Sequence, residues 1–237
     1  MPIKRPAFKL MIPEAACRPK DVDSNNDVYP SENLDSIFHE IKKFRKFVFA
    51  EAMNIIDYNQ MQQSGFATIT NGFIISNGND VFMHAHRECP EYDGTYIGDK
   101  IHISIHQKYV KKAFDILSGL LLSQDSPIDK WKVTDIDVVS SESRVSVGAQ
   151  FTLYMKTGST DNGYTPLQLH KIRCFLSEIE NKLKKENIPI GQQPESDIKH
   201  VEWTYISYRN EFKSDRTGSE EQNEKLKNEP FFRLITE

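Results

Sequence analysis

The chain has 237 residues, of which 38% are hydrophobic and 27% are charged, so it fits one large domain or two small ones with a substantial core. A formal net charge of -4 argues against general nucleic-acid binding, and any cationic site must be a local cluster in an acidic protein. Mean hydropathy of -0.56 and the lack of any run near ~18 apolar residues argue against a membrane protein. The three cysteines are too few and too widely spaced for a disulfide framework, which favours a reducing compartment.

The first 30 residues are predicted to form a flexible arm, because 21–27 is polar and offers little to bury. The arm lacks the apolar run of a secretory signal peptide, so export would need another route. Near its start, two basic residues precede apolar residues at alternate positions: Lys4, Arg5, Phe8, Leu10 and Ile12. An extended segment of this type can insert alternate side chains into pockets while its cations meet an acidic rim. A disordered leader with incidental hydrophobic residues fits the pattern equally well.

Helical periodicity of apolar residues predicts helices over about 32–53, 107–122 and 166–186. In the first of these, the apolar positions extend as far as Val48, and the lysines and arginine between them form a solvated face. A Pro/Gly/Gln stretch ends the third helix. The sequence Ser-Glu-Glu-Gln at 219–222 fits a capping box that opens a further short helix.

Alternation of polar and apolar residues predicts strands. They lie at 66–70, 73–76, 80–86, 100–105, 130–134, 149–156 and 203–208. The dipeptide Asn71-Gly72 between the first two favours a type I′ hairpin turn, so the sheet is predicted to be mostly antiparallel. No internal repeat and no boundary after the arm are evident. The prediction is therefore a single α+β domain in which helices flank a mostly antiparallel sheet.

The strand at 100–105 has two contrasting faces. Side chains at i and i+2 share a face of a strand, so Lys100, His102 and Ser104 point one way while three isoleucines point the other. A cation and an imidazole are thereby placed side by side, which suits the binding of an anion. An ordinary solvent-facing strand with polar residues is the alternative.

Lys130 and Lys132 also share one strand face, with Trp131 on the other. Nearby like charges and burial both lower the pKa of a lysine, because each disfavours the protonated form. A lysine perturbed in this way can act as a general base near neutral pH. Two exposed strand lysines are the simpler interpretation.

Three arginines could contribute to an anion site, because planar guanidinium groups suit bidentate phosphate binding. They are Arg144, Arg209 and Arg216. Surface ion pairing explains any one of them taken alone. Tyr154 and Lys156 share a strand face and could extend a phosphate-binding surface, although an exposed strand edge explains them as well.

A metal site is a further hypothesis, because His84 and His86 share a strand face and Cys89 follows three residues later. His102 and His106 add more nitrogen ligands. No paired Cys-x-x-Cys or His-Glu-x-x-His motif is present, however. The scattered glycines also form no nucleotide-binding loop. A metal-dependent phosphatase is therefore the minor alternative.

Five sequence blocks together resemble the phosphothreonine lyase family of bacterial type III secretion effectors, the OspF/SpvC type. The blocks are Asp-Val-Phe-Met-His-Ala at 80–85, Gly-Asp-Lys-Ile-His-Ile-Ser-Ile at 98–105, Ser-Pro-Ile-Asp-Lys-Trp-Lys at 126–132, Gly-Ala-Gln-Phe-Thr-Leu-Tyr at 148–154 and Ser-Tyr-Arg-Asn-Glu at 207–211. The resemblance runs over nearly the whole chain and is weakest at about 13–65. The family's usual phenylalanine before the second block is Tyr96 here, and its ring can still pack against substrate.

The resemblance implies a metal-independent carbon–oxygen lyase with no cofactor. Such an enzyme removes phosphate by β-elimination from phosphothreonine in the pThr-x-pTyr activation loop of host MAP kinases. By family match, Lys132 takes the Cα proton and His102 protonates the leaving phosphate, while Tyr154 orients the base or the substrate. Lys156 is a candidate ligand for the phosphotyrosine. The residues that would hold the phosphothreonine phosphate, or lie close to it, are Lys100, Lys130, Arg144, Arg209 and Arg216.

The resemblance also carries expectations about organisation and partners. The lyase domain is expected at 31–237, and the leader is similar to the docking motif that MAP kinases recognise. The protein is expected to be a monomer that type III secretion delivers into a host cell, where it works in the cytoplasm or nucleus. Neither nucleic acid nor membrane is expected as a partner. A phosphopeptide-binding module without chemistry remains an alternative to the enzyme.

Overall fold

The structure of the protein is a computed structural model that describes residues 33–78, 80–90, 96–156 and 163–237. Within these residues the strands are β1 (Ala67–Thr70), β2 (Phe73–Asn77), β3 (Phe82–Arg87), β4 (Tyr96–Ile103), β5 (Lys130–Thr134), β6 (Phe151–Lys156) and β7 (Ile206–Asn210). They form one antiparallel sheet in the order β1-β2-β3-β5-β6-β4-β7. The predicted α+β class with a mostly antiparallel sheet is confirmed.

The helices of the described residues are α1 (Leu34–Ile41), α2 (Tyr58–Met61), α3 (Val110–Leu121), α4 (Arg144–Val147), α5 (Pro166–Lys185), α6 (Glu220–Lys227) and α7 (Pro230–Thr236). The long helix α5 contacts α1, α3 and α7. None of these helices combines the length and the apolar character needed to cross a bilayer.

One face of the central strands forms the core. Trp131, Leu153, Ile101 and Tyr208 are successive register partners across β5, β6, β4 and β7, and none of them is more than marginally exposed. The ring of Phe114 in α3 lies 6.1 Å from that of Trp131, so α3 covers this face. Each buried side chain of this size contributes about 1.5–3 kcal/mol to folding. Because side chains alternate along a strand, the intervening residues must point to the opposite face.

The hairpin between β1 and β2 has the predicted turn. Asn71 and Gly72 both have positive φ, of 49° and 76°, which a type I′ turn requires at both central residues. The Asn71 side chain donates to the Asn54 carbonyl at 2.7 Å and ties the turn to the preceding loop. The prediction is confirmed.

The predicted helix over 32–53 is wrong in its second half, because α1 ends at Ile41. The segment that follows is not helical, and Val48, predicted to face the core, is 81% exposed. Instead, Phe49 packs edge-on against Phe175 of α5 at 5.3 Å. The Ala52 amide donates to the carbonyl of Gly119 in α3. These tertiary contacts override the local helical pattern.

The remaining helices largely match the predictions. Helix α5 covers the predicted 166–186, and α3 follows a short 3₁₀ turn within 107–122. At the start of α6, the hydroxyl of Ser219 accepts a hydrogen bond from the Gln222 amide at 3.1 Å, which confirms the N-cap half of the predicted capping box. The side chain of Gln222 instead accepts from the Asp215 amide at 2.9 Å, so the reciprocal half does not form. Helices α2, α4 and α7 were not predicted. Each has at most seven residues, too few for a clear periodic pattern.

The last strand begins at Ile206 rather than at the predicted 203. The buried carboxylate of Glu180 in α5 accepts hydrogen bonds from the amides of Thr204, Tyr205 and Ile206 at 2.8–3.0 Å. These amides are therefore satisfied by a side chain, and regular strand pairing starts only at Ile206. The arm at 1–30 and its proposed docking residues Lys4, Arg5, Phe8, Leu10 and Ile12 lie outside the described residues.

Candidate active site

Two rows of mainly polar side chains cross the central strands on the face opposite the core. The first row consists of the register partners His84, Lys132, Thr152, His102 and Ser207. The second consists of His86, Lys130, Tyr154, Lys100 and Arg209. Directly opposed residues of antiparallel strands point to the same face. These ten residues, which we call the polar face, therefore combine side chains from five strands.

Lys132 and His102 flank a single strand on the polar face. Thr152 of β6 is the register partner of both residues. Two strand spacings separate their backbones, which is about 9–10 Å. An amine and an imidazole therefore approach the space above Thr152 from opposite sides.

Burial makes Lys132 a weaker base than an ordinary lysine. Its pKa falls from 10.5 to about 8, chiefly because burial disfavours the ammonium form and then because Lys100 repels it. The carboxylates of Asp80 and Glu211 act in the opposite direction. The predicted lowering of the Lys132 pKa is supported, but burial rather than a neighbouring lysine is its main cause. The ammonium nitrogen also lies 3.5 Å from the centroid of the Phe82 ring.

His102 is oriented by a buried carboxylate. Its Nδ1 lies 2.6 Å from Oδ2 of Asp197, and the Ser207 hydroxyl donates to the same oxygen at 2.8 Å. Burial raises the pKa of Asp197, but its interactions with His102 and Ser207 outweigh burial and leave that pKa below the ordinary value. With Asp197 ionised, Nδ1 keeps its proton, which leaves Nε2 as the ring nitrogen available for chemistry.

Arg144 and Arg209 converge on Ser196, next to the Asp197 that contacts His102, and Arg216 is close enough to act on the charge of Arg144. Arg209 is buried and its Nη1 donates to the hydroxyl of Ser196 at 3.2 Å, while Nη2 of Arg144 lies 3.5 Å from that oxygen. Burial lowers the pKa of Arg144, the Asp197 carboxylate 3.5 Å from its Nη2 opposes that shift, and repulsion by Arg209 and Arg216 adds to it. The buried Nε of Arg144 has no hydrogen-bond partner among the described residues. Guanidinium groups that repel one another in this way favour an anion between them.

The second row of the polar face surrounds an aromatic ring with cations. The ammonium nitrogens of Lys100 and Lys130 lie 5.0 Å and 5.1 Å from the centroid of Tyr154. Tyr96 meets Tyr154 edge-on at 6.0 Å, and Lys130 lies 5.5 Å from the Tyr96 ring. Lys156 is the register partner of Tyr96 at the end of β6. Tyr154 thus separates the two lysines and limits their mutual repulsion.

The histidines of β3 have other contacts. Nε2 of His84 lies 3.0 Å from Oδ2 of Asp80, and Cys89 is exposed. Nδ1 of His106 accepts a hydrogen bond from the Lys108 amide. In the part of the chain that the structure describes, no group of three or more His, Cys, Asp or Glu side chains is arranged to hold a metal ion. The ligand set proposed from spacing, including His86, is therefore not brought together.

The chain matches the OspF/SpvC family model over residues 2–237. This protein belongs to the OspF/SpvC family. It is 45% identical, over the full length of both chains, to a Salmonella typhimurium protein named MAPK phosphothreonine lyase. It is 44% identical, again over both full lengths, to phosphothreonine lyase OspF of Shigella flexneri. The fold is similar to that of the Chromobacterium violaceum phosphothreonine lyase effector VirA (SpvC), with a TM-score of 0.83, 47% identity and coverage of 87% of this chain and 96% of that one.

Family membership confirms the resemblance that the five sequence blocks carried. In this OspF/SpvC protein the structure brings together nearly all the residues predicted for the site, from four strands, α4 and the segment after β7. Asp197 was not predicted from the sequence, and Glu211 lies in the fifth sequence block without a predicted role. Asp197 lies in a segment without regular structure, where no periodic pattern identifies a functional side chain.

Proposed function

We propose that this protein is a phosphothreonine lyase that acts on host MAP kinases by β-elimination. The observation that carries the proposal is the pair of Lys132 and His102 on either side of Thr152, beside a cluster of cations. Its relatives in the family are named phosphothreonine lyases, and those from Salmonella are named MAPK phosphothreonine lyases. Each step of the proposed reaction has a matching group on the polar face.

Lys132 is the base that removes the Cα proton of phosphothreonine. A Cα proton is weakly acidic, so the base must be unprotonated and close to it. A Lys132 pKa of about 8 leaves a useful fraction of free amine near neutral pH. The proton moves from carbon to Nζ, and the electron pair it leaves behind forms the Cα–Cβ double bond.

His102 is the acid that protonates the departing phosphate oxygen. The Cβ–O bond breaks as the double bond forms, so the products are dehydrobutyrine and inorganic phosphate, and no water is consumed. Asp197 holds Nδ1 of His102, so that Nε2 can carry the transferred proton. The dianionic substrate favours the protonated imidazole, and the buried cationic cluster favours the free amine of Lys132.

The phosphate lies among fixed cations in this mechanism. Charge that develops on the leaving group is stabilised by preorganised donors at little reorganisation cost. The proposed ligands are Lys100, Arg144, Arg209 and Arg216, with Lys130 nearby. On this basis Tyr154 orients the base or the substrate and Tyr96 packs against the substrate, while Lys156 contacts the phosphotyrosine.

The leader at 1–30 is proposed to dock the kinase, and 31–237 to form the lyase domain. We also propose that the protein is secreted into a host cell. There it works as a monomer in the cytoplasm or nucleus. Replacing Leu10 and Ile12 by alanine should weaken action on a folded kinase more than on a short phosphopeptide. Equal loss on both substrates would reject the docking role.

Mass spectrometry of a doubly phosphorylated pThr-x-pTyr kinase peptide tests the proposed reaction. The expected product is one water lighter than the corresponding threonine peptide, and it forms in the presence of EDTA. Lys132→Ala and His102→Ala should remain folded and lose this activity. Threonine as the product, loss of activity with the chelator, or tight peptide binding without phosphate release would each contradict the lyase.

A further inference from the structure

A carboxylate lies inside the cationic cluster of the polar face. Glu211 follows directly after β7, and its Oε2 lies 2.5 Å from Nζ of Lys100. The Lys100 side chain is only 14% exposed, whereas that of Glu211 is 52% exposed. The ion pair therefore joins a fixed cation in the site to an acid that solvent reaches.

Several cations of the site act on this carboxylate. Burial raises the pKa of Glu211, but the hydrogen bond from Lys100 and the charges of Arg209 and Lys132 leave that pKa below its ordinary value. Glu211 is therefore ionised at neutral pH. It places a negative charge where the proposed reaction needs the phosphate of the substrate.

Hydrogen bonds fix the backbone of Glu211, whereas its side chain is half exposed to solvent. Its amide donates to the carbonyl of Gly98 in β4 at 2.8 Å. The next two amides, of Phe212 and Lys213, donate to Oδ1 of Asn210. A half-exposed glutamate on such a backbone can leave Lys100 by rotation about its own side-chain bonds, without movement of the sheet.

We propose that Glu211 is a specificity-determining residue whose carboxylate occupies the phosphate position at Lys100 in the free enzyme and is displaced by the phosphate of the substrate. The inference rests on the proposed function. A phosphate dianion carries more charge and more acceptor oxygens than a carboxylate, so it can displace Glu211 where a substrate carboxylate or hydroxyl cannot. After elimination, the return of Glu211 to Lys100 favours release of inorganic phosphate.

Calorimetric titration with inorganic phosphate tests this exchange without requiring turnover. Glu211→Gln keeps the shape of the side chain and removes its charge, so phosphate should bind about fivefold more tightly than to the wild-type protein. In a Lys100→Ala background the same substitution should change phosphate affinity much less, because the competition occurs at Lys100. Equal or weaker phosphate binding by E211Q overturns the proposal, as does an undiminished effect in the Lys100→Ala background.

Glu229→Gln is the matched control. Glu229 pairs with Lys213 at 2.7 Å and is outside the polar face, so its substitution should leave phosphate affinity unchanged. If thermal denaturation shows that E211Q does not fold, Glu211→Asp replaces it. The shorter side chain of aspartate reaches Lys100 less well, so this variant should also bind phosphate more tightly than the wild-type protein. Turnover of the phosphopeptide by the wild-type protein is measured separately. A lack of turnover would refute the proposed lyase activity, whereas the phosphate titrations alone test whether phosphate displaces Glu211 from Lys100.

Discussion

Asp197 places a carboxylate oxygen 2.6 Å from Nδ1 of His102, although 95 residues separate the two along the chain. The carboxylate also accepts hydrogen bonds from the hydroxyls of Ser196 and Ser207, so several contacts hold it in place. A fixed, ionised partner at one ring nitrogen sets both the orientation and the proton-donating state of the other. The acid of the proposed reaction is thus a pair of residues rather than a single histidine.

Asp197→Asn should lower kcat by about 10²-fold with little change in KM, because an amide cannot stabilise the imidazolium form of His102. Steady-state phosphate release from a phosphothreonine peptide measures both constants. Ser207→Ala is the control, since it removes one hydrogen bond to the carboxylate and keeps the charge, and its effect should be much smaller. A kcat unchanged in Asp197→Asn would contradict the role of the pair.

The pKa of Lys132 predicts the pH dependence of the reaction. Because Lys132 must be neutral while His102 is protonated, kcat/KM should follow a bell-shaped pH profile, and the limb that Lys132 governs should have its midpoint near pH 8. The carboxylate of Asp80 raises this pKa, so Asp80→Asn should move the midpoint to lower pH, by about half a unit. Asp137→Asn, which removes an acid paired with Lys111, should leave the midpoint unchanged. A midpoint that moves upward in Asp80→Asn would contradict the assignment.

Period-two alternation correctly predicted which side chains share a face of each strand. It placed Lys130 with Lys132 and Lys100 with His102, while the Asn-Gly dipeptide predicted the turn at 71–72. Alternation carries no information about which strands become neighbours, so the position of β6 between Lys132 and His102 could not be derived from it. That order is set by long-range packing of the core, and the family resemblance supplied the pairing that the local pattern could not.

Residues outside regular elements were the hardest to predict. Asp197 and Glu211 act through side chains in segments whose conformation depends on distant partners. The false helical extension to 53 has a related cause, since contacts of Phe49 and Ala52 with α5 and α3 fix an irregular path. Local patterns predict elements, whereas these contacts exist only in the folded chain.

Lys132→Met should stabilise the protein while abolishing phosphate release. The folded state lowers the Lys132 pKa from 10.5 to about 8, so below pH 8 folding must keep a partly buried ammonium charged. Removing that charge should raise the free energy of unfolding at pH 7 by about 1–3 kcal/mol. As pH rises from 8 to 10.5, Lys132 loses its proton in the folded wild-type protein before it does so in the unfolded chain. The difference in free energy of unfolding between Lys132→Met and the wild-type protein should therefore shrink and vanish. Urea denaturation across this pH range measures it, and a less stable variant at pH 7 would contradict the prediction.

Gly98→Ala should displace the segment that carries Glu211. Gly98 has a φ of +89°, and a Cβ added there would lie 2.5 Å from Cδ2 of Phe212 and 2.9 Å from Oδ1 of Asn210. We expect a loss of about 1–3 kcal/mol in the free energy of unfolding, from backbone strain and from the clash together. Because the displaced segment holds Glu211 against Lys100, KM for the phosphopeptide should fall, in the same direction as the tighter phosphate binding expected of Glu211→Gln.

Gly78→Ala is the control for this substitution, because its added Cβ would meet nothing within 4 Å and its φ is not positive. Thermal or urea denaturation gives the stability of both variants, and steady-state phosphate release gives KM and kcat. If Gly98→Ala matches Gly78→Ala in stability and in KM, the contact between β4 and the segment after β7 does not shape the site. A fall in kcat at constant KM would instead place the disturbance at Lys132 or His102, away from the cations proposed to bind the substrate.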